Sequence, residues 1–249
     1  AGNQIICAYQ RLPGFTEPGA FAEYVHVPFA HNLARLPDGI APDHAAGLGC
    51  RVTTAWHALT GRAALAAGEW LAVVGTGGVG LSAALLGRAI GARVVVVDVV
   101  QAKIDHALSL GIDAGINATA TDPAALIREI TGGGAHVAVE ALGHPATVAT
   151  GIECLRPLGR HVQVGMPVGH TARMEINMNA VYMKNLALFG TRGMPPWRFP
   201  PLLGLIDAGR LDVAALVSRR IPLSGVSDEL RAFDGPAPPG TAVITDFRA

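Results

Sequence analysis

The sequence predicts an α/β fold built on a doubly wound parallel sheet, and two observations carry that expectation. From Trp70 onward, short unbroken apolar runs alternate with helix-like segments, as strands buried on both faces and the helices covering them should. At the first junction stands Gly75-Thr76-Gly77-Gly78-Val79-Gly80, glycines spaced for a tight turn between a strand and a helix.

The elements follow in order. A β-like run over 21–27 lies among Pro13-Gly14, Pro18-Gly19, Pro28 and Pro37-Asp38-Gly39, and reads as the returning edge of a β-rich unit. Residues 70–74 and 93–97 are the first two strands of the sheet, and 79–90 between them read as a helix ended by Gly91 in a left-handed cap. Residues 101–110 form a helix closed by Gly111, and 122–131 a helix opened by Asp122-Pro123. A buried strand at 136–140, a helix at 145–155, a strand at 160–165 and a last strand at 186–190 complete the sheet. Met194-Pro195-Pro196-Trp197 then breaks the alternation, and a helix over 200–208 precedes a tail that leaves the sheet and ends at 241–247. The Gly/Pro run 235–240 reads as a loop.

Composition narrows the function classes. The 249 residues are 50% hydrophobic and 15% charged, with a mean hydropathy of +0.37, enough to bury a large core. Lys plus Arg equals Asp plus Glu at 19 each, so the basic surface that tracks nucleic acid is not expected. The uncharged window 70–87 is broken by Gly75, Gly77, Gly78, Gly80 and Gly87 and reads as strand, loop and helix, not as a membrane span. Ala1-Gly2-Asn3-Gln4 has neither the basic nor the apolar region of a signal peptide. Cys7, Cys50 and Cys154 are too far apart in sequence for a metal pair or disulfide framework, which fits a cytoplasmic setting.

The glycine run carries the strongest chemical signal, because it follows a strand and opens a helix as a dinucleotide fingerprint requires. Gly75 permits the turn, Gly77 lets the backbone approach a diphosphate, and Gly80 lets the helix lie close on the sheet, a contact that Ala83, Ala84 and Gly87 extend. Free N–H groups at the helix start then face the phosphates. Asp98 ends the second strand, 23 positions after Gly75, where a carboxylate can accept hydrogen bonds from the adenosine ribose. The same charge repels a 2′-phosphate, and Val99, Val100 and Gln101 offer no Arg to neutralise one, so NAD is expected over NADP. His26 and His31 read as surface residues, His57 as packed, and Cys154 as core.

The runs Gly19-Ala20-Phe21-Ala22-Glu23-Tyr24, Leu36-Pro37-Asp38-Gly39 and Gly49-Cys50-Arg51-Val52-Thr53-Thr54-Ala55 precede the glycine loop. Asp98, Lys103, Glu140-Ala141-Leu142-Gly143 and Val164-Gly165-Met166-Pro167 follow it. Together they resemble the zinc-type alcohol dehydrogenases of the medium-chain dehydrogenase/reductase family. The resemblance implies a Rossmann NAD-binding domain over 52–193, with remnants of a GroES-like β-rich catalytic domain at both ends, 1–51 and 194–249. It implies that Cys50 is a ligand of the catalytic zinc, that Cys7 matches the last Cys of a structural zinc lobe, and that the other catalytic ligands lie in an N-terminal part lacking here. Taken alone, Cys50 reads as a small buried hydrophobe, the commoner fate of an isolated Cys.

By the same resemblance, Thr54 and Val79 face the nicotinamide, Lys103 the ribose, and Val164, Gly165 and Met166 the carboxamide. Lys103 also reads as a solvated helix residue, and 164–166 as the end of a core strand. The implied activity is reversible, NAD-linked and zinc-dependent oxidation of a small alcohol to an aldehyde or ketone, in a homo-oligomer of two or four subunits, with the 249-residue chain by itself inactive. A non-catalytic NAD-binding module and a zinc-free quinone-reductase-like enzyme are the alternatives.

Overall fold

The computed structural model describes residues 4–232 and 240–248, so 235–239 of the expected Gly/Pro loop lie outside the described residues. The elements in chain order are α1 Pro42–Ala46, α2 Cys50–Trp56, β1 Trp70–Val74, α3 Gly78–Ile90, β2 Arg93–Asp98, α4 Gln101–Ser109, β3 Ala114–Asn117, α5 Pro123–Thr131 and β4 Ala135–Glu140. They continue with α6 Pro145–Glu153, β5 Leu155–Gln163, α7 Met178–Lys184, β6 Ala187–Gly190, α8 Phe199–Asp207, β7 Val217–Pro222, α9 Val226–Arg231 and β8 Thr241–Asp246. Two units form: one joins Ala1–Cys50 to Gly193–Ala249, and the other is Arg51–Arg192.

The second unit holds a six-stranded sheet in the order β3-β2-β1-β4-β5-β6, every neighbouring pair parallel. This is the doubly wound arrangement, with its order reversing between β1 and β4. Both faces of the central strands are covered: every residue of β1 is buried, as are Val94 to Val97 of β2. On one face Trp70, Ala72, Val74, Val95 and Val97 pack with Ala124 and Ile127 of α5. On the other, α3 lies so near that a Cβ at Gly87 would fall 2.6 Å from Leu71 Cδ2. Burying a side chain such as Leu71 or Ile127 is worth about 1.5–3 kcal/mol, so the repeated branched residues explain why this segment forms the core.

Helix ends follow local chemistry. Gly91 closes α3 at φ +100°, Gly111 follows α4 at φ +82°, and the Asp122 carboxylate accepts from the N–H groups of Ala124 and Ala125 to open α5. The starts of the strands are fastened by side chains: Trp70 N–H donates to His136 Nδ1, Val94 N–H to Asp113, and the Arg160 guanidinium to Glu69. The opposite, carboxyl ends carry loops, and there an open α/β sheet binds ligands.

Several expectations need correction. β3 is a strand the sequence did not announce, because among Ala114–Asn117 only Ile116 is fully buried and Gly115 breaks the apolar run. That glycine has its own reason: a Cβ there would lie 2.4 Å from Ile104 Cγ2 of α4. α6 stops at Glu153, and β5 begins at Leu155, slips against β4 after Ala135, and pairs regularly from Arg160. Residues 164 and 165 leave the strand to bond back to the Glu140 carbonyl. The β-like run 21–27 forms no strand; no described strand pairs with it, and Phe21 and Tyr24 are exposed.

In the first unit, β7 and β8 pair in parallel, so 241–247 is a paired strand through Asp246 and not merely a tail. Arg220 bridges to Asp43 of α1 at 2.5 Å, and Arg219 to Glu229 of α9. A cavity of about 720 Å³ lies wholly within this unit, lined by residues that include His31, Arg35, Trp197 and Asp207. Among the described residues no helix is long and apolar enough to cross a membrane.

Candidate cofactor site

The glycine loop sits at the carboxyl end of β1, beside the point where the strand order reverses. Gly75 adopts φ +95°, a region L side chains avoid, and its N–H donates to Val97 O at 2.8 Å. Gly80 is required by contact: a Cβ there would fall 1.8 Å from the Gly75 carbonyl oxygen and 3.3 Å from Val73 Cγ1. Gly77, the residue before α3, is exposed, and nothing lies within 4 Å of where its Cβ would be. The sequence therefore leaves a backbone surface open at the start of a thirteen-residue helix, where N–H groups and the helix dipole favour an anion.

Thr76, buried inside the loop, ties it to β2. Its N–H and its hydroxyl both donate to Asp98 Oδ2, at 2.8 and 2.6 Å, while Val99 and Val100 N–H donate to Oδ1 at 2.9 and 3.0 Å. Burial pushes this carboxyl up, but the bonds from Thr76 and Val100, with the positive charge of Lys103, outweigh it and hold the group below its ordinary range. Asp98 is thus an anion with a fixed direction. Lys103, half-buried on α4, belongs to the same corner.

A second network floors the site. Glu140, fully buried at the end of β4, accepts from Leu142 and Gly143 N–H at 2.9 Å, from the Thr147 hydroxyl at 2.6 Å, and from the Gln163 amide. Gln163 also donates to Gly165 O at 2.8 Å, and Val164 and Gly165 N–H donate to Glu140 O. Gly165 is pressed on the neighbouring loop: a Cβ would meet Gly143 N at 2.2 Å. The loops after β1, β4 and β5 thereby lie close together, and a Cβ at Gly75 would fall 3.7 Å from Leu142 Cβ.

The structure brings Gly75, Thr76, Gly77, Gly78, Val79, Gly80, Asp98, Lys103, Val164 and Gly165 to the carboxyl edge of one sheet, with Met166 exposed just beyond. Thr54 is buried on α2, as is His57 just after it. Cys7 and Cys50 are exposed thiols, whereas Cys154 is buried, which pushes its thiol up to about 12. Among the described residues no three His, Cys, Asp or Glu side chains come together as a metal site, so the residues present do not complete a zinc centre. The sequence did not mark Thr76 as the partner of Asp98, nor Glu140 and Gln163 as a buried pair; a carboxylate ending an apolar strand was the one available signal. Nor did it mark Arg51, whose side chain lies across Gly78.

A family model described as zinc-binding dehydrogenase matches residues 78–208, more than half of the chain. The chain belongs to the zinc-binding dehydrogenase family. A sorbitol dehydrogenase of Halalkalibacterium halodurans is 27% identical over 90% of the chain and 65% of that protein. An L-threonine 3-dehydrogenase of Bacillus velezensis is 30% identical over 94% of the chain and 66% of that protein. The chain spans somewhat less than two thirds of the length of these curated relatives. The solved structure of an NAD-dependent alcohol dehydrogenase superposes with a TM-score of 0.87 over 99% of the chain and 71% of that protein, at 24% identity, which establishes the shared fold.

Proposed function

We propose that this chain holds NAD for a zinc-type dehydrogenase that interconverts an alcohol with an aldehyde or ketone. The observation that carries the reading is the pairing of an open glycine cradle at the start of α3 with a fixed carboxylate at the end of β2. Bound NAD supplies the hydride acceptor for the alcohol carbon. The residues from Gly75 to Gly80 then bind the diphosphate with backbone N–H groups, and Asp98 accepts from the adenosine ribose while opposing a 2′-phosphate. Lys103 flanks that ribose. Val79, Thr54 and the backbone of Val164, Gly165 and Met166 orient the nicotinamide end, their loop held by Glu140.

On this reading 52–193 is the NAD-binding domain, and 1–51 with 194–249 contribute to a catalytic domain. Cys50 is the thiolate offered to a catalytic zinc of the intact protein, and Cys7 the one offered to a structural zinc. The relatives act, by their names, on sorbitol and threonine, so the substrate class is a small hydroxylated molecule. We place the protein in the cytoplasm, and as a homo-oligomer, the latter supported by exposed Met178, Tyr182 and Met183 on α7, the helix that precedes the edge strand β6 in the chain.

Fluorescence titration with NADH and NADPH tests the assignment. NADH should bind more tightly, and Asp98→Ala should narrow the difference. Equal or tighter binding of NADPH by the unaltered chain would overturn it.

A further inference from the structure

A charged side chain lies beside the glycine cradle. Arg51, on α2, passes directly across Gly78: a Cβ at that glycine would lie 2.5 Å from Arg51 Cδ, 2.7 Å from Nε and 2.9 Å from Cζ. Gly78 is the first residue of α3, so the guanidinium is laid along the helix start. A helix start carries partial positive charge on its unsatisfied N–H groups, and a cation placed there is repelled by it. An anion at the same point is attracted by both. An anion bound there would be shared by the guanidinium and the helix start.

The geometry supplies the rest of that ligand's outline. Next to Gly78, Gly77 leaves open space, so oxygens can approach the backbone on that side. A guanidinium offers five donors in a planar fork that matches phosphate oxygens. We propose that Arg51 is a cofactor-binding residue, a cation that closes the glycine loop over the diphosphate of the dinucleotide. This rests on the NAD reading of the loop and adds to it a side chain from the segment before the sheet.

Arg51→Gln and Arg51→Lys should be compared with the unaltered chain in titrations with NADH, ADP and adenosine, with circular dichroism as the control for folding. Losing charge-assisted bonds to phosphate should weaken NADH and ADP by roughly tenfold or more in Arg51→Gln, while adenosine, which has no phosphate, changes by less than about twofold. Arg51→Lys should recover part of the loss, and added salt should weaken ADP binding more in the unaltered chain than in Arg51→Gln. Unchanged ADP affinity, or an equal loss for adenosine, would overturn the role of Arg51 alone. An unaltered chain that binds neither NADH nor ADP would overturn the cofactor reading and this proposal together.

Discussion

Replacing Gly80 by Ala separates the structural demand of the loop from its ligand demand. A Cβ at this position would lie 1.8 Å from the Gly75 carbonyl oxygen, and real Cβ atoms essentially never come within 3.0 Å of such a neighbour, so the loop must yield by more than 1 Å. That neighbour is backbone, held by the Gly75 N–H bond to Val97 O and by the two Thr76 bonds to Asp98, and cannot swing aside as a side chain would. Overpacking of this kind costs roughly 1–3 kcal/mol or more. Ala gains about 1 kcal/mol over Gly in a helix interior, less in a first turn, so the clash wins and a net loss of about 2 kcal/mol is expected. For a chain of this size that is a fall in Tm of roughly 4–8 °C. Gly77→Val is the complement, since its Cβ meets nothing: Tm should stay within a few degrees while NADH binding is lost, because the side chain fills the diphosphate's place. Thermal melts followed by circular dichroism, beside NADH titrations, read both. A Gly80→Ala protein with unchanged Tm and affinity would refute the close-packing argument, and a Gly77→Val protein that binds NADH normally would refute the cradle.

Thr76→Val removes the hydroxyl bond to Asp98 and keeps the side-chain shape, so NADH should bind a few-fold more weakly and its advantage over NADPH should shrink, with Thr76→Ser restoring both; titration with the two cofactors checks it. His161 is buried, and burial holds its imidazole below the ordinary range, so the folded state resists the proton that the unfolded chain accepts. Its contribution to stability is complete above the unfolded value of about 6.5 and is lost as pH falls from there toward the depressed folded value. Urea melts across that window should show the slope, and His161→Gln should flatten it. Because no three metal-ligating side chains converge among the described residues, this chain should retain less than one zinc per molecule after dialysis and oxidise no alcohol; metal analysis beside an NAD-linked assay decides it.

The parallel sheet was legible because its central strands are nearly pure Val, Leu and Ala, and because Gly91, Gly111 and Asp122 end or open helices by local chemistry alone. β3 was not, since an edge strand with one fully buried side chain has little apolar signal and owes its place to the partner β2. β7 and β8 were hidden for a related reason: Ser218-Arg219-Arg220 and Pro222 leave little apolar pattern in Val217–Pro222, and its partner lies more than twenty residues away. Gly75 and Gly80 declared themselves through spacing, as the φ of one and the close contact of the other bear out.

The bonding roles of Glu140 and Thr76 escaped the sequence reading because each depends on which strand lies next to its own. Glu140 looked like the last residue of an apolar strand, and an isolated buried carboxylate is costly enough that it must find donors. Which donors it finds depends on the sheet order: Gln163 reaches it because β5 lies next to β4, and Leu142, Gly143 and Thr147 reach it because the chain turns back at the strand's end. Thr76 reaches Asp98 because β2 lies next to β1 on the other side. The two networks therefore flank the place where the strand order reverses, one fixing an anion at the end of β2 and one fixing the backbone of two loops. The glycine run leaves a backbone surface open at the start of α3, and these cross-strand carboxylates hold the loops around it; a sheet with another strand order would leave both without their partners.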